Sequence, residues 1–300
     1  MGDDIRIFDR QVVRLHRDRA ARDLARHDFL FRETADRLVE RLDDVRRRFP
    51  VALDLGCHGG EVGRALNGRG GVETLVQADL SPAMARLAGG RRVACDEEFL
   101  PFAPASFDLV LSNLSLHWVN DLPGALVQIR RALKPDGLLL ATMLGGETLK
   151  ELRHAWMEAE LAEEGGAGPR VSPFADIRDA GGLLQRAGFA LPVADADTIT
   201  VSYPDAMRLI VDLRGMGETN AVADRRKGLT RRATLFHAVA AYQRAFADDQ
   251  GRVPATFQTV TLTAWAPHEA QPRPLRPGGA SIRLSDALNG EPRPVDDSPP

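Results

Sequence analysis

Cysteine and lysine are scarce in this sequence, and no stretch of it stays apolar for long. Its two cysteines, Cys57 and Cys95, are too few for a disulfide framework and read as free thiols packed near a sheet. No run approaches the roughly 20 apolar residues that a membrane helix needs. The chain is therefore expected to have no integral membrane segment and to reside in the cytoplasm. A net charge of −3 lacks the basic footprint of a nucleic-acid binder. Only 3 lysines stand against 36 arginines, an excess spread along the chain that reads as genome composition. The arginine-rich first fifty residues superficially resemble a mitochondrial transit peptide. Transit peptides are poor in acids, however, and here Asp and Glu are interleaved almost one for one, which predicts a solvated helical face.

What is present is ordinary for a globular protein: 27% charged and 44% apolar residues in a chain of 300. That length allows one large or two ordinary domains and burial of ~75% of the unfolded surface. Residues 15–48 read as amphipathic helix interrupted near His27, with Phe29, Phe31, Leu38 and Leu42 on an apolar stripe. From Val51 short apolar runs alternate with helical segments: VALDL and EVGRAL, TLVQAD and PAMARLA, RRVAC, FDLVLSN and LPGALVQIRRAL, then GLLLATM. This alternation predicts an α/β fold with a mostly parallel sheet and helices on both faces. Ser81 and Pro82 suit a helix N-cap and first turn, and Asp121 suits the cap of a helix carrying Leu122, Leu126, Ile129 and Leu133 on one face.

Lys134 to Gly137 reads as a turn into a buried strand, and Thr148 with Glu151 as a capping box for a helix with Leu149, Leu152 and Trp156 facing inward. Residues 165–170, GGAGPR, read as a flexible loop, residues 176–187 as helix, 193–201 as a strand and 204–246 as largely helical. The Thr- and Val-rich run 256–265 is expected as the last strand. The Pro-rich stretches 271–279 and 291–300 are expected to be irregular or disordered.

In an open parallel sheet, ligands bind beyond the carboxyl ends of the strands where the strand order reverses. Asp54, Asp79, Asp96 and Asn113 stand at four successive strand ends and form one rim. The glycines Gly56, Gly59, Gly60 and Gly63 do not satisfy the G-x-G-x-x-G spacing of a dinucleotide site in any frame, which disfavours a dehydrogenase.

The pattern D-x-G-x-x-x-G from Asp54 to Gly60, followed by Asp79, Asp96 and SFDLVLSN, resembles the cofactor loop and later motifs of class I S-adenosylmethionine-dependent methyltransferases. The resemblance implies a Rossmann-like fold with a seven-stranded, mostly parallel sheet, N-terminal helices and a helical lid inserted before the last strand. It assigns residues 1–48 to the N-terminal helices, 49–202 plus 253–290 to the cofactor-binding domain, 203–252 to the lid and 291–300 to a disordered tail. It further implies that Asp54 lies near the ammonium of the methionine moiety and that Gly56 and Gly60 let backbone approach the ligand, with Cys57 and His58 between them. Asp79 would accept from the ribose hydroxyls, and Asp96 from the adenine amino group. The Glu97 N–H would face a ring nitrogen, Leu80 and Leu100 would flank the adenine, and Asn113 would lie below the transferring methyl. Alone, each glycine marks only a tight turn and Asp79 only a helix cap; the set in order is what carries the resemblance.

More of the chain is involved. IFDRQ, DEEFLPF, SNLSLHWVNDLPGAL, LKPDG, GGETLKELR, SPF, LLQRAGF, DLRGMGETNA, VPATFQ and AW with PHEAQ resemble the mitochondrial complex I assembly factor five family. The activity assigned to that family is hydroxylation of an arginine on the iron–sulfur subunit of respiratory complex I, which implies this subunit as partner and a bacterial relative here. A carrier-linked methyltransferase such as malonyl-acyl-carrier-protein methyltransferase, which shares the SNLxLxW-like segment, and a non-catalytic assembly chaperone are the alternatives.

For the chemistry, His117 is a candidate acid or base, against a hydrogen-bonded helix-start histidine, and Trp118 a pocket wall, against core filler. Glu218 and Asn220 lie in a Gly-rich segment that is either a lid facing a cationic or polar group or a surface turn. Arg153 is placed to meet substrate, the alternative being an ion pair with Glu. No metal is expected: His154 with Glu158, and His268 with Glu269, do not make a two-His-one-carboxylate set. Cys57, His58 and Cys95 read as packed thiols and a surface imidazole. His58 stands where the middle glycine of GCGxG would be, and the turn survives this at a cost of ~1 kcal/mol. The imidazole either adds a hydrogen bond to the cofactor carboxylate or points to solvent.

Overall fold

The structure is a computed structural model that describes residues 6–174 and 177–271. Two helices lead the chain, α1 (Arg10–Ala20) and α2 (Phe29–Glu40), with a 3-10 turn at Leu24–Arg26 between them, so the interruption near His27 is real but the helical region ends at Glu40 rather than Arg48. Then come β1 (Val51–Leu55), α3 (Glu61–Leu66), β2 (Thr74–Asp79), α4 (Pro82–Ala88), β3 (Arg91–Ala94), β4 (Phe107–Asn113), α5 (Leu122–Ala132) and β5 (Leu133–Leu144). The remaining elements are α6 (Lys150–Glu164), α7 (Ile177–Arg186), β6 (Ala190–Tyr203), α8 (Ala206–Met216), α9 (Arg232–Phe246) and β7 (Val253–Trp265).

The strands form one sheet in the order β3-β2-β1-β4-β5-β7-β6. β1 to β5 are parallel, and β7 runs antiparallel to both β5 and β6. The chain winds outward from β1 to β3, then returns to place β4 on the other side of β1. This reversal puts the carboxyl ends of β1 and β4 side by side, the position at which such sheets bind ligands. β1 is a near-continuous apolar run because both faces are covered: Leu53 and Leu55 pack with α5, and Ala52 packs with α2 and α3.

The caps explain the connections. Ser81 Oγ accepts from Met84 N at 3.1 Å, and an Asp121 carboxylate oxygen accepts from Gly124 N at 2.9 Å. Leu122, Leu126 and Ile129 of α5 are buried as one stripe, each worth about 1.5–3 kcal/mol. The expected capping box at α6 does not form. Thr148 and Glu151 turn instead to β7: Thr148 Oγ1 accepts from Gln258 N, and Glu151 accepts from Thr256 N and Oγ1. Tertiary partners outcompete the local bond, and they fix α6 to the sheet. The expected turn at Lys134–Gly137 is absorbed into β5 as an irregularity, with Asp136 left-handed at φ 61°. The loop 165–170 is pinned rather than loose, since Glu160 accepts from Gly168 N at 2.7 Å and from Arg170 Nε at 2.5 Å.

Both N-terminal helices and the α8–α9 region belong to the same compact unit as the sheet, which ends at Pro267. The tail expected from 291 lies outside the described residues. Among the described residues no helix is long and apolar enough to cross a membrane.

Candidate active site

The site begins at the end of β1. Asp54 is fully buried, and neither carboxylate oxygen has a hydrogen-bond partner. Burial, then the charges of Glu61 and Asp79, push its pKa well above the ordinary carboxylate range. An uncompensated buried acid is costly, so a cationic ligand is the natural complement. Gly56 and Gly60 have φ of 74° and 87°, a conformation open to glycine. A Cβ on Gly60 would also lie 2.8 Å from the Ala88 backbone.

His58 does not point to solvent, which corrects the surface-imidazole expectation. It is 1% exposed and stacks on Phe31 at a centroid distance of 4.1 Å and 17°. Its Nε2 lies 3.0 Å from Asn113 O and 3.2 Å from Leu114 O; two carbonyl acceptors make this nitrogen the N–H donor, so Nδ1 is left as an acceptor without a partner. The residue takes the left-handed backbone, φ 45°, that the middle-glycine position demands. Asn113 at the end of β4 donates from Nδ2 to Phe31 O at 2.9 Å, and its Oδ1 is also buried without a partner. Asp54, His58 Nδ1 and Asn113 Oδ1 thus form a set of acceptors awaiting donors, which fits a ligand with an ammonium group at this end.

The acids at the ends of β2 and β3 are, by contrast, already engaged. Arg17 of α1 is 1% exposed, and its guanidinium lies 3.3 Å from Asp79 Oδ1, 3.0 Å from Glu97 Oε1 and 2.8 Å from Ser115 Oγ. Arg10, two turns earlier, donates to Asp96 Oδ1 at 2.6 Å, to Trp118 O at 3.1 Å and to Glu97 Oε2. Burial works against the charge of Glu97, but Arg10, Arg17 and the Ser115 hydroxyl outweigh it and hold the carboxyl well below the usual range. Asp79 also accepts from His58 N at 3.1 Å and Ser81 N at 2.7 Å, tying the glycine loop to α4. The arginines of α1 were expected on a solvated face. Arg10, Val13, Arg17 and Ala20 instead form its buried or half-buried stripe, because acids at the strand ends supply partners that no local pattern reveals.

Beside this rim lies a cavity of about 370 Å³. Leu114, Leu144, Leu152, Trp156, Phe174 and Phe257 line its apolar part, and Trp118 and Glu218 stand at its wall. One oxygen of Glu218 accepts from both His117 Nε2 and Trp118 Nε1, each at 3.0 Å. Burial opposes the Glu218 charge, but His117, by charge and hydrogen bond, and then His58 and Arg17 outweigh it and lower the carboxyl's pKa. With Nε2 bonded to a carboxylate, His117 presents a buried Nδ1 that has no partner. An imidazole held by a carboxylate at one nitrogen and unpartnered at the other is the pairing from which a general base is built. Asn220 also lines the cavity, where Nδ2 donates to Pro169 O at 2.5 Å and Oδ1 accepts from Val222 N at 2.9 Å.

Other expected residues fall elsewhere. Arg153 does not line this cavity; its guanidinium caps the loop before α6 through Gly146 O and Thr148 O at 3.4 and 3.3 Å. Leu80 packs with Phe8, Val13 and Trp118, whereas Leu100 packs against the sheet core. Cys57 is buried, and burial, then Asp79, push its thiol well up; the half-buried Cys95 is pushed up to about 12, first by burial and then by Glu97. Both are thus poor nucleophiles. Arg10, Arg17, Ser115 and Phe31 were missed by sequence reasoning. The seven-residue spacing of the two arginines on one helix face was the only available signal.

Comparison with known proteins places this geometry. A family model described as a methyltransferase domain matches residues 53–141. The arginine-hydroxylase NDUFAF5, mitochondrial, of Danio rerio is 42% identical over 287 residues, 93% of this chain and 89% of that protein. A malonyl-[acyl-carrier protein] O-methyltransferase of Halorhodospira halophila is 38% identical over 270 residues, covering 87% of this chain and 90% of its own. Among solved structures, phosphoethanolamine N-methyltransferase 2 of Haemonchus contortus, in complex with S-adenosyl-L-methionine, shares the fold with a TM-score of 0.51 at 18% identity, over 83% of this chain and 57% of that one. The chain belongs to the class I S-adenosylmethionine-dependent methyltransferase superfamily and, within it, to the family of the arginine hydroxylase NDUFAF5, alongside the related malonyl-acyl-carrier-protein methyltransferases.

Proposed function

We propose that this chain binds S-adenosylmethionine at the ends of β1, β2 and β4 and modifies a protein side chain, an arginine in the iron–sulfur subunit of respiratory complex I. The observation that carries the cofactor assignment is Asp54, an acid wholly buried at the strand-reversal point with both oxygens unpartnered. Asn113 Oδ1 and His58 Nδ1 extend the same acceptor surface. When bound, the cofactor supplies an electrophilic methyl group, so the protein chiefly aligns the reactants and keeps water out. The apolar wall of the adjoining cavity serves the second purpose. His117 Nδ1 is the group available to take a proton, with Glu218 holding the ring through Nε2. For an arginine substrate, the rings of Trp118, Trp156 and Phe174 and the ionised Glu218 suit a planar cation. Of the four arginines lining the cavity, Arg170, Arg225 and Arg226 are already paired with Glu160, Asp9 and Glu164.

Arg214 favours a second reading. It lines the same cavity and has no ion-pair partner among the described residues, which suits an anionic acyl group and hence carrier-linked O-methyl transfer. Deleting the gene and weighing the peptides of the complex I iron–sulfur subunit separates the readings. Loss of one oxygen from an arginine supports hydroxylation, and loss of one methylene supports methylation. An unmodified peptide in both strains refutes the side-chain reading; unassembled complex I without any modification leaves a chaperone. Methyl transfer to malonyl-acyl-carrier protein by the purified chain would establish the second. Thermal shift tests the cofactor: S-adenosylmethionine at a hundred times its Kd stabilises by about 2.7 kcal/mol, and a response to NAD alone would overturn the assignment.

A further inference from the structure

The surface that would receive the cofactor is covered by this chain's own side chains. A Cβ built on Gly56 would fall 2.1 Å from Ser115 Cβ and 3.4 Å from Glu97 Oε1, so these two residues lie against the glycine where a ligand would approach. Arg17 closes over them, bonded to Glu97, Ser115 and Asp79, while Arg10 takes Asp96 and the other oxygen of Glu97. Two helix turns of α1 thus satisfy the acceptors Asp79 and Asp96 that a ribose and an adenine would use. A polar partner already held inside the site must be displaced before another can take its place.

α1 is also bonded to the segment that carries Glu218. His16 Nδ1 lies 3.0 Å from Thr219 O, Arg19 donates to Thr219 Oγ1 at 3.3 Å, and Gly217 packs against Arg17 and Ala20. Just before the helix, Asp9 N donates to Ala221 O and Ala223 N to Ile7 O, each at 2.8 Å. Phe8, Val13, Trp118, Ala221 and Val222 form a small apolar cluster between them. This cluster is much smaller than the cores under the sheet, so the contact between α1 and residues 217–223 is held largely by polar bonds.

We propose that α1 is an internal plug for the cofactor site, with Arg10 and Arg17 as competitors of the cofactor's adenosine half, and that its withdrawal also frees the segment 217–223 at the cavity wall from its bonds to α1, Glu218 keeping its bond to His117. Cofactor entry and opening of the substrate cavity then become one event. The inference rests on the cofactor reading above. The two are coupled because a ligand shifts such an equilibrium only through its different affinity for the two arrangements.

The test uses the full chain and S-adenosylhomocysteine as probe. Hydrogen exchange of the unmodified protein should become at least severalfold faster in residues 9–20 and 217–223 when the probe is added, while residues 54–60 become slower. Slower exchange in residues 9–20 would show α1 to be a wall of the filled site and would overturn the proposal. By calorimetry, the double variant Arg17→Gln with Glu97→Gln, which keeps neutral hydrogen-bonding groups, should bind the probe about tenfold more tightly than the unmodified chain. Equal or weaker binding by a folded double variant contradicts the plug. Binding by neither form overturns the cofactor reading and the plug with it, whereas binding with a protected α1 leaves the cofactor reading standing and removes only the plug.

Discussion

Replacing Asp54 with asparagine should make the protein more stable and less able to bind. In the unfolded chain an aspartate titrates near ~3.9. In the fold its pKa is raised, first by burial and then by Glu61 and Asp79. Below the unfolded value both states hold the proton and the ionisation term is absent. As pH rises past it the unfolded state releases the proton more readily, and stability falls until the raised folded value is passed. At pH 7 the loss has a ceiling, the work of keeping the carboxyl protonated: about 1.36 kcal/mol for each of roughly three pH units, or ~4 kcal/mol. Asparagine removes that loss but brings an amide whose donors need partners in the same buried place, a cost of about 1–3 kcal/mol. Asp54→Asn is therefore expected to be more stable than the unmodified protein by at most about 1–3 kcal/mol at pH 7, with the advantage shrinking as pH falls toward 4. Chemical denaturation of both proteins at several pH values measures the difference, and all other titrating groups cancel in it. The same variant should bind S-adenosylhomocysteine about 10–100-fold more weakly, because a charge-assisted hydrogen bond is worth about 1.5–3 kcal/mol. A variant that is less stable at neutral pH, or a difference that does not vary with pH, would refute the claim that Asp54 is buried without compensation.

Two further substitutions probe the neighbouring groups. His58→Gly relieves a left-handed backbone cost of about 1–2 kcal/mol but removes the stack on Phe31, about 1 kcal/mol, a hydrogen bond to two carbonyls, about 1 kcal/mol, and the ring's burial, and adds glycine's entropy, about 0.5–1 kcal/mol. The net is a loss of about 1–2 kcal/mol, seen as a fall in Tm of roughly 3–5 °C; an unchanged or higher Tm would show the ring contributes nothing, and unchanged affinity for S-adenosylhomocysteine would exclude a role in binding. Glu218→Gln should lower kcat about 10–100-fold by releasing His117 while leaving affinity for S-adenosylhomocysteine unaltered, and a parallel loss of that affinity would move Glu218 into the cofactor site. Because the folded pKa of Glu218 is lowered, its contribution to stability is present above the unfolded value of ~4.3 and disappears as pH falls through the folded one. The stability gap between Glu218→Gln and the unmodified protein should therefore close in acid.

The strands and most caps were legible because their causes are local. VALDL, TLVQAD and FDLVLSN are apolar runs between turn residues, and they are β1, β2 and β4 with the bounds that pattern implies. Ser81 and Asp121 cap because the N–H groups they serve are three residues away. The capping box at Thr148 and Glu151 misled for the opposite reason: β7, more than a hundred residues later, offers those side chains stronger partners.

Periodicity and spacing by themselves determined the strand alternation and the acid-bearing rim at Asp54, Asp79, Asp96 and Asn113, since these depend on residues near one another in the chain. Only the tertiary structure decided what faces that rim. It seats Arg17 on Asp79 and Glu97, stacks His58 on Phe31, brings Glu218 to His117 across a hundred residues, and sends Arg153 away from the cavity. A charged or aromatic side chain carries no mark of whether its partner will be water or a distant residue. That choice is made by packing, where desolvation is accepted only if the fold happens to supply the complementary group.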